Sequence, residues 1–163
     1  MPVLKARVGG TWVDVSGGVP TSAPRGIVAR RTATASVWTN ATTTPTDITV
    51  TTGLGPIATV VLDTTRLYLF TFRSHIRSTT TGDRIGFELW LNGAMVQQAL
   101  LSPHPTASTA FQGFAQFIVQ PTVNGSQDTR IKGKSGAGTS TVSVHPSTDI
   151  PMVYLIEDVG LAA

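Results

Sequence analysis

The sequence predicts an all-β protein built as an antiparallel β-sandwich. Threonine accounts for 26 of the 163 residues, and its β-branched side chain favours strands over helices. Segments with an apolar residue at every second position recur along the chain, separated by turns rich in Gly, Pro and Asn. No stretch has the apolar repeat of about 3.6 residues that an amphipathic helix requires. We therefore expect about eight short strands in two packed sheets.

Charge is sparse and unevenly placed. Charged residues make up 13% of the chain and hydrophobic residues 40%. Residues 1–34 hold five basic residues and one acidic residue, a net charge of +4, whereas residues 35–163 hold seven basic and eight acidic residues, a net charge of −1. The chain is thus expected to divide into a basic N-terminal anchoring arm and linker (1–34) and a near-neutral folded domain (35–163).

The arm is expected to contain a hairpin and a linker. Residues 3–8 and 11–15 flank Gly9-Gly10, a pair typical of a tight turn between two strands. Two isolated strands are marginally stable in water, so the hairpin should lean on another chain or on the body. Residues 16–26 contain four Gly or Pro before Gly26 and predict a linker.

In the body, residues 47–51 and 57–62 predict short strands, and residues 66–78 predict the longest one. Even positions of this longest strand are mostly apolar, from Tyr68 to Ile76. Its odd positions change from leucine to arginine and histidine. One face of the strand should therefore be buried, and the other should grade from apolar to basic.

The remaining strands follow at regular spacing. Residues 84–92 alternate, and Asn92-Gly93 predicts a type I′ turn into a return strand over 94–101, because that turn needs positive φ at both central residues. Further strands are predicted over residues 111–120, 128–134, 141–145 and 152–159. The last of these has apolar residues on both faces, which is typical of a strand covered on both sides.

The residues form no recognisable catalytic constellation. The absence of cysteine excludes disulfides, thiolate metal sites and a cysteine nucleophile, and it suits a reducing cytoplasm. His75, His104 and His145 lack the spacing of a metal site, and residues 132–136 lack the glycine spacing of a phosphate loop. The sequence therefore predicts no enzyme, no cofactor and no metal.

Two classes of partner are also disfavoured. No apolar run reaches the roughly 18 residues of a membrane span, and the start lacks the apolar stretch of a signal peptide. No dense Lys/Arg patch is interleaved with aromatic residues, which argues against direct nucleic-acid binding.

Several predicted strands carry apolar residues on both faces. Trp90 lies on the polar face of its strand, Phe114 lies opposite Phe117, and Tyr154 and Ile156 lie on the two-sided final strand. Because a sandwich buries only one face of each sheet, a second apolar face favours self-association. Coverage of that face by the arm and its Trp12 is the alternative.

Three regions of the sequence resemble a known family. Residues 68–83 (YLFTFRSHIRSTTTGD) and 84–93 (RIGFELWLNG) look like the jelly roll of tumour-necrosis-factor-like and complement-like trimers, in the version found in tailed bacteriophages of actinobacteria. Residues 5–15 and 154–160 are similar to the start and the final strand of minor tail and fibre-type proteins of those phages. The resemblance implies a homotrimeric jelly-roll protein of the virion, assembled in the host cytoplasm. It would be a minor tail protein or a capsid decoration protein.

The resemblance also implies which residues make contacts. Apolar residues of two-sided strands would line a three-fold axis, and the trimer interface is expected to include Trp90, Phe114, Tyr154 and Ile156. The arm would bind capsid or tail proteins by adding its strands to a neighbour's sheet edge. Its contacts are expected to come from Arg7, Trp12, Arg25, Arg30 and Arg31.

Two other functions remain open at this point. One is a carbohydrate- or receptor-binding module of the tail tip, although the predicted loops at 79–83 and 102–106 contain no aromatic residue. The other is an enzyme, either a sandwich-fold hydrolase or a histidine-metal oxygenase.

Overall fold

A computed structural model describes residues 25–35, 37–49, 57–100, 107 and 109–162, together with the backbone of 5–8 and 11–14. In chain order the strands are β1 (Lys5–Val8), β2 (Thr11–Asp14), β3 (Gly26–Ala33), β4 (Trp38–Asn40), β5 (Thr46–Asp47), β6 (Ile57–Leu62), β7 (Arg66–Ser78), β8 (Ile85–Leu91), β9 (Ala94–Leu100), β10 (Phe111–Val119), β11 (Gly125–Ser135), β12 (Val142–Val144) and β13 (Met152–Leu161).

These strands form two antiparallel sheets that pack face to face, and a separate two-stranded hairpin of β1 and β2. The six-stranded sheet is centred on β7, which pairs with β10 on one side and with β13 and β12 on the other; β3 and β4 are added outside β13 and β12. The five-stranded sheet is centred on β11, which pairs with β8 on one side and with β6 and β5 on the other; β9 follows β8. The predicted all-β antiparallel sandwich is confirmed, and its jelly-roll connectivity stays a prediction.

The core lies between the two sheets. The even-numbered β7 residues Phe70, Phe72 and Ile76 are completely buried, as their alternation predicts. Across the sandwich, the rings of Phe72 and Phe87 approach to 4.9 Å between centroids. The burial of these large side chains is the main source of stability of the domain.

The turn between β8 and β9 has the predicted geometry. Asn92 has φ of 49° and Gly93 has φ of 81°, both in the left-handed region that a type I′ turn requires. The register of the hairpin places Leu91 opposite Ala94. The two-residue turn sets the register as far as Trp90 opposite Met95, and a bulge between Leu89 and Trp90 then shifts the pairing by one residue.

The boundary between arm and domain differs from the expectation. Residues 26–33, predicted to belong to the arm, form β3, which pairs with β13 from Ala33 opposite Met152 to Gly26 opposite Asp158. The pairing extends the sheet beyond β13, so the domain begins at about Gly26 rather than at residue 35. The predicted hairpin is present, with Lys5 opposite Asp14, and residues 15–24 of the linker lie outside the described residues.

Candidate interaction surface on the six-stranded sheet

The outer face of the six-stranded sheet, called here the graded face, changes from apolar to basic along β7. Its β7 residues in order are Leu67, Leu69, Thr71, Arg73, His75 and Arg77. Their neighbours at even positions point into the core, so these side chains point away from it. The gradient predicted from the sequence is confirmed.

Neighbouring strands extend the apolar end of the graded face. In the register, Leu69 lies between Ile118 on β10 and Glu157 on β13, and Ile27 on β3 follows Glu157. Ile118 is 62% exposed and Ile27 is 63% exposed. Large apolar side chains on β10, β7 and β3 thus point outward along this line in the described part of a single chain, with Glu157 on β13 between Leu69 and Ile27.

A shallow depression of about 300 Å³ lies in the middle of the graded face. It is lined by Thr71, Val153 and Leu155, which are the less exposed residues, and by Ile27, Arg30, Arg73 and Phe114 around them. Phe114 is directly opposite Arg73 in the β7–β10 register and is 49% exposed. Phe114 and two arginines therefore border a depression whose least exposed residues include Val153 and Leu155.

The basic end of the graded face holds two histidines and two arginines, His75, His145, Arg73 and Arg77. The His145 backbone N–H donates to the His75 carbonyl at 2.8 Å, and His145 Nε2 lies 2.8 Å from Ser143 Oγ. Burial lowers the pKa of His145, and the nearby positive charge of Arg77 lowers it further. His145 is therefore neutral at neutral pH, and the arginines supply the charge of this end.

The outer face of the five-stranded sheet is different because its charges are paired. Arg130 lies 2.8 Å from an Asp47 carboxylate oxygen and 2.7 Å from one of Asp128. Lys134 Nζ lies 2.6 Å from Glu88 Oε1. On the graded face, by contrast, Arg30, Arg73 and Arg77 form no ion pair with any described residue.

Trp90 belongs to this charge-paired face. Lys132 Nζ lies 3.7 Å above the centre of the Trp90 ring, and Trp90 Nε1 donates to Glu88 Oε2 at 2.9 Å. The indole is half-buried by these neighbours. Its presence on a polar strand face is thus explained within one chain by a cation–π contact and a hydrogen bond.

The four residues predicted for the trimer interface do not form one surface. Tyr154 and Ile156 are 1% and 0% exposed and lie in the core between the sheets, so their assignment to the interface is corrected. The outward positions of this two-sided strand are Val153 and Leu155, on either side of Tyr154. Phe114 and Trp90 point away from the core on different sheets, on opposite sides of the sandwich.

The residues predicted to make arm contacts are also divided. Arg7 and Trp12 are opposite each other in the hairpin, and their side chains lie outside the described residues. Arg30 and Arg31 are part of β3, and Arg25 directly precedes it, with Nε 3.9 Å from Asp158 Oδ2. These three arginines therefore belong to the sandwich and not to a free arm.

A second depression lies beside Asp83, whose buried carboxylate connects two loops. The buried carboxylate of Asp83 accepts hydrogen bonds from the hydroxyls of Ser135 and Ser140 and from the backbone N–H groups of Arg84 and Ala137. Burial alone would raise the pKa of Asp83, but these hydrogen bonds outweigh it and lower the pKa below its ordinary value. The carboxylate is fully engaged in holding two loops together.

Among the described residues, no group of three or more His, Asp or Glu side chains is placed to hold a metal ion. The same residues include no helix long and apolar enough to cross a membrane. No family model matches the chain, and no curated protein matches it.

Proposed function

We propose that the chain is a structural module of a bacteriophage virion, a homotrimer that attaches to the particle through its N-terminal arm. The observation that carries the self-association is the apolar end of the graded face, where Ile118, Leu69 and Ile27 lie in one row that Glu157 on β13 interrupts. A sandwich buries only the inner faces of its sheets, so this row remains exposed to solvent unless another molecule covers it. Further copies of the same chain are the simplest cover.

The edge next to β10 supports the same proposal. β9 pairs only with β8 among the described strands, and its seven residues contain no charge. Met95 and Leu100 on this strand are 51% and 50% exposed. Natural sheet edges are usually protected by charges, prolines or bulges; β9 has a bulge at Val96 but no charge and no proline, so its exposed apolar side chains suit a contact with another subunit.

Attachment is proposed to use the hairpin of β1 and β2. It forms a two-stranded sheet with no third strand among the described residues. Such a sheet is marginally stable alone, and adding it to a sheet edge of a capsid or tail protein would complete its hydrogen bonding. Whether the chain decorates the capsid or belongs to the tail would follow from its copy number per particle.

Light scattering coupled to size-exclusion chromatography tests the assembly. The full chain is expected to elute with three times the 17.1 kDa mass of one chain. A stable monomer across the concentration range would refute the trimer. Quantitative mass spectrometry of purified particles tests the location: hundreds of copies indicate capsid decoration, a few copies indicate the tail, and absence refutes a virion role.

A carbohydrate-binding module is the second candidate function. The depression with Phe114, Arg30 and Arg73 favours it, because small-molecule sites combine an apolar lining with a few convergent polar groups. The depression shares Ile27 with the apolar row, and its other lining residues lie outside that row. Binding of an oligosaccharide by the purified chain would support it.

A further inference from the structure

Three features of the depression on the graded face indicate the chemical class of ligand that it would bind. Arg30 and Arg73 reach it, and neither forms an ion pair with a described residue. Val153 and Leu155 give it an apolar floor, and the half-exposed ring of Phe114 stands at its side. The ligand should therefore carry negative charge on a compact body with an apolar surface.

We propose that this depression binds a carboxylated sugar residue of an anionic polysaccharide. A guanidinium group matches a carboxylate in shape and can bind it through two parallel hydrogen bonds. The C–H face of a pyranose ring can pack on the Phe114 ring. The volume of about 300 Å³ is at the lower end for small-ligand sites, which suits one sugar ring. This inference rests on the second candidate function and not on the trimer.

Polar side chains beside the depression can form hydrogen bonds with the hydroxyl groups of a sugar. Gln116 lies opposite Thr71 in the β7–β10 register, and its Nε2 donates to Thr71 Oγ1 at 3.2 Å. Both side chains keep further hydrogen-bonding capacity, because an amide and a hydroxyl each offer more than one site. They can contact ring hydroxyls while the arginines hold the carboxylate.

The basic end of the graded face extends the site along β7. Arg73, His75 and Arg77 alternate on one face, so successive side chains are about 7 Å apart. Arg77, like Arg73, forms no ion pair with a described residue. A repeating uronic acid chain can therefore place its next carboxylates along this row.

A single-stranded nucleic acid fits the site less well. Proteins that bind such strands stack successive bases on several aromatic side chains. Phe114 is the only exposed aromatic residue among those described on the graded face. A carboxylated polysaccharide needs one ring contact and repeated carboxylate contacts, which the described residues provide.

Titration calorimetry on the full chain tests the proposal with galacturonic acid trisaccharide as the probe. The neutral galactose trisaccharide is the matched ligand. We expect Arg73→Gln to weaken binding of the acidic probe about tenfold, because a charge-assisted hydrogen bond is lost. Arg84→Gln removes the same charge from an exposed position away from the graded face and should change affinity less than about twofold.

Each other outcome contradicts the proposal in an identifiable way. Equal binding of both trisaccharides would support the carbohydrate-binding function but refute the preference for a carboxylated sugar. An equal loss in the two arginine variants would indicate non-specific charge attraction and overturn the site. Tighter binding of an oligothymidine would indicate a nucleic-acid surface. No binding of any of these probes at millimolar concentration would overturn both the site and the carbohydrate function, leaving the trimer to its own test.

Discussion

Replacing Ile118 by serine should weaken self-association strongly while leaving the fold intact. Ile118 is 62% exposed in one chain, at the apolar end of the graded face. Complete burial of an isoleucine side chain stabilises by about 1.5–3 kcal/mol, so burying the exposed part contributes about 1–2 kcal/mol per copy. Losing this contribution in all three copies costs at least about 3 kcal/mol per trimer, which raises the dissociation constant of the Ile118→Ser trimer about 100-fold.

Sedimentation velocity over a dilution series measures this change, and the chain provides a matched control. Val61 on β6 is 72% exposed on the five-stranded sheet, so Val61→Ser removes a similar side chain from the opposite side of the sandwich. We expect this variant to remain trimeric at concentrations where Ile118→Ser dissociates. Val61→Ser should unfold at nearly the wild-type temperature, whereas Ile118→Ser should unfold at the temperature of the dissociated wild-type chain, because its core is unchanged but its assembly is lost.

The reverse pattern would refute the assignment of the interface. If Ile118→Ser assembled like the wild type while Val61→Ser dissociated, the five-stranded sheet would carry the contact. If neither variant altered the mass, the row of Ile27, Leu69 and Ile118 on β3, β7 and β10 would not be the surface that holds the copies together.

Three further predictions concern the interior. The pKa of Asp83 in the folded chain lies below its ordinary value of 3.8. The ionised Asp83 carboxylate therefore adds to the free energy of unfolding above pH 3.8, and this contribution is lost as the pH falls through the folded pKa. Urea unfolding of Asp83→Asn should lack this acid-dependent loss. Gly133→Ala would drive a methyl group into the Trp38 ring, and we expect a loss of about 1–3 kcal/mol in chemical denaturation. Tyr154→Phe removes the buried hydrogen bond to Thr129 Oγ1, and it should cost about 1 kcal/mol in the same assay without changing the oligomeric state.

Each of these predictions has its own control. For Asp83, an unchanged acid dependence in the variant would show that other carboxylates cause the loss. For Gly133, adding Trp38→Leu to Gly133→Ala should recover part of the stability, and an additive loss would contradict the steric explanation. For Tyr154, dissociation of the variant would contradict its placement in the core.

Local patterns in the sequence determined most strands and one turn. The alternation over 66–78 correctly placed the even positions of β7 in the core, because side chains of a strand point alternately to its two faces. Asn92-Gly93 determined the β8–β9 turn, since these residue types accept positive φ readily. The hairpin of β1 and β2 followed from Gly9-Gly10 in the same way.

Long-range pairing decided the rest. Residues 26–33 have little buried apolar pattern, and only pairing with β13 makes them a strand of the domain. On the two-sided final strand, alternation separates Tyr154 from Val153 but cannot say which side faces the core; the opposing sheet decides that. Likewise, the depression draws residues from four strands that are distant along the chain, so no local signal could have brought Arg30, Arg73 and Phe114 together.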